Sequence, residues 1–486
     1  MSQLLLFFVL QLLGSSACLA VGPQRELPLC MALGFLVGLA IAVFLSLPLL
    51  LLGQFTAGSV ITVLALALVA SIGVAVRRRR LTAVTVVRLL VWAIGFTALC
   101  LPFCIWNVSV MTYDSRVFVE YAEALQDMQQ LTLETLSYLH SWGSFQIVAH
   151  SLAVVTWESH LYALAPAFSI SLFATIAVTL YRGLAALSVP PRGRVIAIAI
   201  VLAVMLAVPL VRLHVVYIHA NWACAGYLFV FAALFWLADL TDDAAYLPAA
   251  FLGFLAFAFA RVESSLFVAV LLPLMLSQTR LSRRAVLGPY LGFTLVLAAW
   301  LLLLAAVVPD DSEYLTTTKS RLMAAAVIGI FLAFLVCETA LGRRLRPLVP
   351  PLVAIACVVV IAVAVVTRFE VFRVSFAIWQ HGLWLGSFWG FFLWPLVVVL
   401  AVLSLRLAAP PFSRPLRYGI AMFFAVIVLL TTLGADYGAG RFGSLTRVTL
   451  QIVPVIGFYF ALAFTPAWCR WLERSKARRL SRSVEP

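Results

Sequence analysis

FTAGSVITVLALALVASIGVAVRRRR, residues 55–80, runs uncharged from Phe55 to Val76 and closes on four consecutive arginines. A helix rises 1.5 Å per residue, and about 20 apolar residues cross the roughly 30 Å hydrocarbon layer of a bilayer. The run 55–76 is therefore of spanning length, and Arg77–Arg80 stay in water at one membrane face. The pattern repeats on both sides of this stretch. Cut at charged and Pro/Gly-rich breaks, the chain gives apolar pieces at about 2–20, 28–52, 55–76, 86–106, 165–181, 195–211, 222–238, 246–260, 264–279, 286–308, 322–342, 348–366, 387–404, 418–434 and 448–468, roughly fifteen helices. Composition agrees: of 486 residues 64% are hydrophobic and 11% charged, against about 25% charged in soluble proteins, and mean hydropathy is +1.11. Too few polar side chains remain to clothe soluble cores, so the expected class is an all-α polytopic membrane protein.

The net charge of +14 does not indicate nucleic acid, because the basic residues sit in short clusters between apolar runs instead of forming one basic face. They set topology. Cytoplasmic loops retain the lysine and arginine excess. With Arg77–Arg80 inside, alternation puts Arg182/Arg192/Arg194, Arg280/Arg283/Arg284, Arg343/Arg344/Arg346, Arg406/Arg414/Arg417 and the tail from Arg470 to Arg482 inside as well. Only Arg116, Arg212, Arg261, Lys319, Arg321, Arg368, Arg373, Arg441 and Arg447 of the 33 basic residues fall outside. All six histidines, His140, His150, His160, His214, His219 and His381, and most acids lie on or near the outer side. The inner face is basic and otherwise chemically plain.

The eight cysteines show no paired spacing and read as packing residues. The first twenty residues end like a secretory signal, Ser15-Ser16-Ala17-Cys18-Leu19-Ala20, but lack its positive start; a first anchor helix fits better. Two outer elements look built. In 107–164, Phe118, Tyr121, Leu125, Met128, Leu136 and Leu139 recur at helical steps with Glu120, Glu123, Asp127 and Glu134 on other faces, the pattern of an amphipathic helix on the membrane surface. Residues 145–164 then suit an interfacial or re-entrant segment. The arms of hairpin 246–279 are too short for a full crossing, which sets its tip, Arg261-Val262-Glu263-Ser264, below the outer interface.

In order and sidedness these features resemble a family. A basic cluster, one helix and then Tyr113-Asp114-Ser115-Arg116 is followed by Val211-Arg212-Leu213-His214-Val215-Val216-Tyr217-Ile218-His219-Ala220-Asn221. Next come Ala260-Arg261-Val262-Glu263-Ser264-Ser265-Leu266 and Gly440-Arg441-Phe442-Gly443-Ser444-Leu445 with Pro454. Together these resemble the GT-C superfamily of polyprenyl-phosphate-sugar-dependent integral membrane glycosyltransferases, mannosyltransferases among them, over about residues 77–468. Val262 and Ser264 replace the proline and glycine of the family's Arg-Pro-Glu-Gly stretch. Asp114 is followed by Ser115 where many members carry paired acids. The resemblance implies a GT-C-like bundle of about 12 core transmembrane helices, preceded by 2–3 N-terminal helices and carrying outer amphipathic helices. It divides the chain into N-terminal helices 1–76, a catalytic domain 77–468 with outer loop 107–164, and a basic cytoplasmic tail 469–486.

Sugar transfer from a lipid phosphate needs a base for the acceptor proton and cations for the leaving phosphate. Asp114, at the mouth of a span, is the candidate base, against a plain solvated loop acid. Arg116 would keep it ionised or meet the phosphate. Arg261 and Glu263 sit at a depth where a charge costs about 2.5–3.5 kcal/mol unless it faces a cavity or partner; they form either a structural ion pair or a wall of the donor site. Arg441, with Arg447 in a glycine-rich loop, is a candidate phosphate ligand through its bidentate donors, or an interfacial anchor. His219 and Asn221 belong to the proposed substrate-binding segment. His214 and His219, five apart, would point about 140° apart on one helix, which disfavours a shared metal. Asp310, Asp311 and Glu313 could bind a divalent cation but read more simply as a solvated loop, so no cofactor is expected. No GxxxxGK[ST] loop is present.

The expected function is an inverting transfer of a sugar from a polyprenyl-phosphate-linked donor to a lipid or glycan acceptor at the outer face, with membrane lipids as the other partners and no nucleic acid. The rival is a secondary transporter or lipid flippase, which would show matching halves with broken helices at the midplane; no such duplication is visible. Arginine outnumbering lysine thirty-one to two points to a GC-rich bacterial genome, hence to a bacterial cytoplasmic membrane.

Overall fold

The computed structural model describes residues 2–23, 26–106, 113–157, 163–261, 263–307, 317–336, 344–385, 387–407, 414–432 and 444–484. These are almost wholly helical, with no strands. In chain order the helices are α1 (Ser2–Val21), α2 (Leu27–Leu51), α3 (Ala57–Arg77), α4 (Ala83–Ile105), α5 (Tyr113–Met128), α6 (Leu133–Trp142), α7 (Ser144–Trp157), α8 (Leu164–Ala186), α9 (Pro191–Ala207), α10 (Pro209–Val216) and α11 (Ala220–Thr241). They continue with α12 (Leu247–Ala260), α13 (Ser264–Gln278), α14 (Arg283–Val307), α15 (Thr317–Val336), α16 (Val349–Thr367), α17 (Phe369–Trp384), α18 (Leu393–Arg406), α19 (Arg414–Leu430), α20 (Ser444–Thr449) and α21 (Val453–Val484). Among the described residues nine helices are long and apolar enough to cross a membrane, or ten if α9 and α10 count as one. The chain is an all-α, multi-pass membrane protein.

Local chemistry sets the boundaries. Thr56 and Thr82 cap α3 and α4 by accepting from the backbone N–H of Ser59 and Thr85 at 3.3 and 3.2 Å. Pro209 cannot donate and drives Val208 into extended backbone, so α10 leaves α9 at 83°. The centre of the bundle is α11, buried from Ala220 to Asp239 and packed against α8, α12 and α21. At its other extreme, α16 buries only Pro350 and presents its valines and leucines outward, as a helix solvated by lipid does. The closest helix pair is α1 on α2. There Gly14 faces Gly34 and Gly38, and a Cβ on any of the three would collide with its neighbours. Small residues of this spacing let two backbones approach directly.

The polar contacts sort into two ends. At the basic end, Arg78 donates to Ala20 O at 2.8 Å, Arg80 to Leu19 O at 2.9 Å, Arg346 to Ser277 O at 3.0 Å, and Arg182 pairs with Glu26 at 2.8 Å. At the opposite, loop end, Ser115 donates to Ile218 O at 3.0 Å, Leu131 N to Leu50 O at 3.0 Å, and Trp379 Nε1 to Thr449 Oγ1 at 3.0 Å. Each of these joins segments that strict alternation assigns to one end.

Two local expectations change. The amphipathic stretch after residue 107 is two helices, α5 and α6, broken where Gln129 takes φ +55°; Phe118, Leu125, Leu136 and Leu139 are buried as the periodicity requires. The stretch after 144, expected to be interfacial or re-entrant, holds one short helix of 14 residues. Helix α7 is buried along most of its length between α2, α3, α5 and α12, which gives His150 and Gln146 protein partners instead of water. Arg447 belongs to the short helix α20, not to a loop.

Candidate functional site

At the loop end, the break between α10 and α11 brings together polar groups that a continuous helix would scatter. Tyr217 and His219 have extended backbone, and their rings stack at 5.3 Å. His214, from α10, turns its ring to within 5.2 Å of Tyr217 and 6.1 Å of His219. The expectation that the two histidines diverge assumed one helix; the extended backbone at Tyr217 and His219, which ends α10 before α11 begins, removes that assumption. Helix α20 supplies Arg447, whose Nη1 approaches His219 Nε2 at 3.3 Å and Tyr217 OH at 3.5 Å. His219 Nδ1 lies 3.2 Å from the Asn221 backbone N–H. A neutral imidazole has one ring lone pair, so only one of these donors is fully accepted at a time. Phe118 of α5 closes the cluster edge-on to His219 at 5.9 Å.

Behind it, Gln451 Nε2 donates to Asn221 Oδ1 at 3.0 Å, both residues fully buried. Among the described residues His214 Nε2, Asn221 Nδ2 and Gln451 Oε1 are buried without a hydrogen-bond partner. Buried polar atoms are nearly always satisfied, so three open valences in one cluster suit water or a ligand.

A second charged patch lies one turn along α11. Cys224, on the same face as Asn221, sits 3.9 Å from Ser264 Oγ. Ser264 follows Glu263, which is paired with Arg261. The carboxylate is 3% exposed and the guanidinium 18%, a buried ion pair at the hairpin tip. The start of α7 wedges between the patches. Gly143, at φ +97°, lies directly on the carbonyl of Ala260. Gly143 and Ser144 share a hollow of about 30 Å³ with Arg261; Phe145 and Gln146 share one of about 10 Å³ with Tyr217 and His219. These hold water-sized guests.

A much larger space lies along α21. Directly after Gln451, Val453 begins a lateral groove of about 380 Å³ between α9, α18 and α21, running to Trp468 and walled almost wholly by apolar side chains such as Val201, Met205, Trp394 and Phe460.

Of the residues singled out from sequence, His219, Asn221, Arg261 and Glu263 converge on the first turns of α11. Arg116 does not join them: it is exposed and paired with Glu120 at 2.8 Å along α5, because its neighbours Ser115 and Val117 take the buried face. Asp114 is the second residue of α5, beside the Ser115 anchor to Ile218; its side chain lies outside the described residues, as do Arg441, Asp310, Asp311 and Glu313. Among the described residues no three potential ligands cluster as a metal site would require. Sequence reasoning passed over Tyr217, Gln451 and Arg447 as site residues. The available signal was a lone glutamine in the apolar run 448–456, since a polar side chain at membrane depth needs a reason.

The chain matches no protein-family model, no curated protein and no solved structure.

Proposed function

We propose that the chain is a GT-C-type glycosyltransferase of a bacterial cytoplasmic membrane, moving a hexosyl or pentosyl group with inversion from a polyprenyl phosphate to a lipid or glycan acceptor, with the loop end facing away from the cytoplasm. One observation carries this reading: Arg447, on the short helix α20, meets His219 and Tyr217, and α21, which follows it in the chain, lines an apolar groove from Val453 to Trp468, about 22 Å along the helix. A head with cationic and hydrogen-bonding groups above a long greasy slot fits an amphiphile with a phosphate at one end. In the reaction the acceptor oxygen attacks the anomeric carbon, its proton passes to a base, and the carbon–oxygen bond to the phosphate breaks with its electron pair leaving on the phosphate. Arg447, with Arg441, holds that phosphate, Asp114 is the base, and His219, Asn221 and Gln451 bind the donor's polar groups. The Arg261–Glu263 pair fixes the hairpin tip against α7.

The groove reaching toward the basic end also favours a second reading, a lipid flippase. Both are tested by reconstituting the protein with radiolabelled polyprenyl-phosphate hexose or pentose and following both transfer and translocation. Arg447→Gln removes a charge-assisted contact worth about 1.5–3 kcal/mol, so transfer kcat/KM is expected to fall roughly 10- to 150-fold, and Asp114→Asn to abolish transfer with insertion intact. Translocation without transfer would replace the enzyme by the flippase; unchanged transfer in Arg447→Gln would remove the phosphate assignment.

A further inference from the structure

A cavity of about 710 Å³ opens between α1, α2, α4 and α8, and none of the loop-end cluster lines it. That is within the range of small-molecule and lipid sites and larger than the hollows beside Arg261 and His219. Its walls are mostly apolar, Val91, Phe96, Leu99 and Ile170 among them, and Gln11, Arg88, Trp92 and Ser171 bring polar groups to it. Gln11 is 1% exposed; its Nε2 donates to Met31 O at 2.7 Å and to Ser15 Oγ at 3.0 Å, while its Oε1 has no partner among the described residues. The other polar donors around the space are already used inside the protein: Trp92 Nε1 bonds Met31 O at 2.9 Å, and Ser171 Oγ bonds Ala32 O at 2.6 Å. The open valence is thus an acceptor, which calls for a hydroxyl or N–H from a guest.

The same cavity is lined by Arg88, five residues into α4 from the basic end, about 7–8 Å along the helix. Among the described residues no carboxylate forms an ion pair with it. An exposed arginine that lines one cavity with a buried open acceptor and an apolar wall selects a headgroup with both a negative charge and a hydroxyl. We propose that one phospholipid of the phosphatidylglycerol type binds here, its phosphate on Arg88, a glycerol hydroxyl donating to Gln11 Oε1, and one acyl chain along Val91, Leu99 and Ile170. The site is independent of the loop-end reading. It gives the lightly buried helix α4 a lipid to bind it to α1, α2 and α8.

The test uses the full chain in mild detergent, with native mass spectrometry against phosphatidylglycerol, phosphatidylmethanol (anionic, no head hydroxyl) and phosphatidylcholine of identical chains. One phosphatidylglycerol per chain is expected, favoured about tenfold or more over both others. Arg88→Gln should erase the preference over phosphatidylcholine, and Gln11→Leu the preference over phosphatidylmethanol. Gly95 lines the cavity and a Cβ there meets nothing within 4 Å, so Gly95→Leu adds bulk at the slot and should displace the lipid even if the Gln11 variant folds poorly. Equal retention of all three lipids, or unchanged binding in Gly95→Leu, overturns the site; equal binding of phosphatidylglycerol and phosphatidylmethanol overturns the hydroxyl contact.

Discussion

Replacing Gly143 by alanine should pry open the contact between α7 and the hairpin tip. Gly143 holds φ +97° and ψ +123°, a conformation that costs a non-glycine residue about 1–3 kcal/mol. Its new Cβ would also fall inside the carbonyl of Ala260 and 3.1 Å from Arg261 Cα, both backbone atoms that cannot rotate away. Overpacking of this kind costs about another 1–3 kcal/mol. The sum is at least about 2 kcal/mol, or roughly 30-fold in the population of locally opened molecules. Cys224, buried beside Ser264 beneath the tip, reports on that opening: in a chain keeping this cysteine alone, a membrane-permeant maleimide should label Gly143→Ala at least about 30-fold faster than the parent. Gly288→Ala is the control, since a Cβ there meets nothing and alanine favours the helix by up to about 1 kcal/mol. Equal labelling of Gly143→Ala and parent would refute the proposed packing of α7 on Arg261.

Asn221→Leu orphans the buried amide of Gln451 and should lower stability by about 1–3 kcal/mol, whereas Asn221→Leu with Gln451→Leu should recover most of the loss; thermal unfolding in detergent separates the two, and an additive double variant would mean that the amides are not coupled. Glu26, in the turn before α2, has its pKa raised by burial, partly offset by Arg182 and by a hydrogen bond from Tyr246. A carboxyl with a raised folded pKa binds its proton more tightly folded than unfolded, so its contribution is full below the ordinary carboxylate range and is lost as pH climbs through the raised value. Glu26→Gln should flatten stability over that window, and an unchanged pH profile would rule Glu26 out as its source.

Much of the architecture was legible because lipid imposes a blunt rule. A spanning helix must be long and apolar wherever it lies, so ten of the fifteen expected spans, counting α9 with α10 as one, are helices long and apolar enough to cross, while among the described residues α12, α13, α15, α18 and α19 are not; the hairpin turns between Ala260 and Ser264. Likewise Phe118 and Leu125 could be assigned to a buried face from spacing alone, since helical period fixes which side chains share a side. Arg116 illustrates the limit. Motif position grouped it with Asp114, but a helix sends adjacent residues about 100° apart, and packing of Ser115 on Ile218 turned Arg116 to the solvent. His214 and His219 illustrate it again: their separation depends on the extended break at Tyr217–His219 between α10 and α11, whose geometry no local pattern specifies.

Chain chemistry alone determined that this is a many-helix membrane protein, because burial of apolar side chains and exclusion of charge act residue by residue. Only the tertiary structure decided that Arg447 meets His219 and Tyr217, that Gln451 meets Asn221, and that an apolar groove starts beside them. Those meetings join residues some 230 positions apart, and such proximity is set by how helices pack on one another, a property of surfaces in contact and not of any single stretch of sequence.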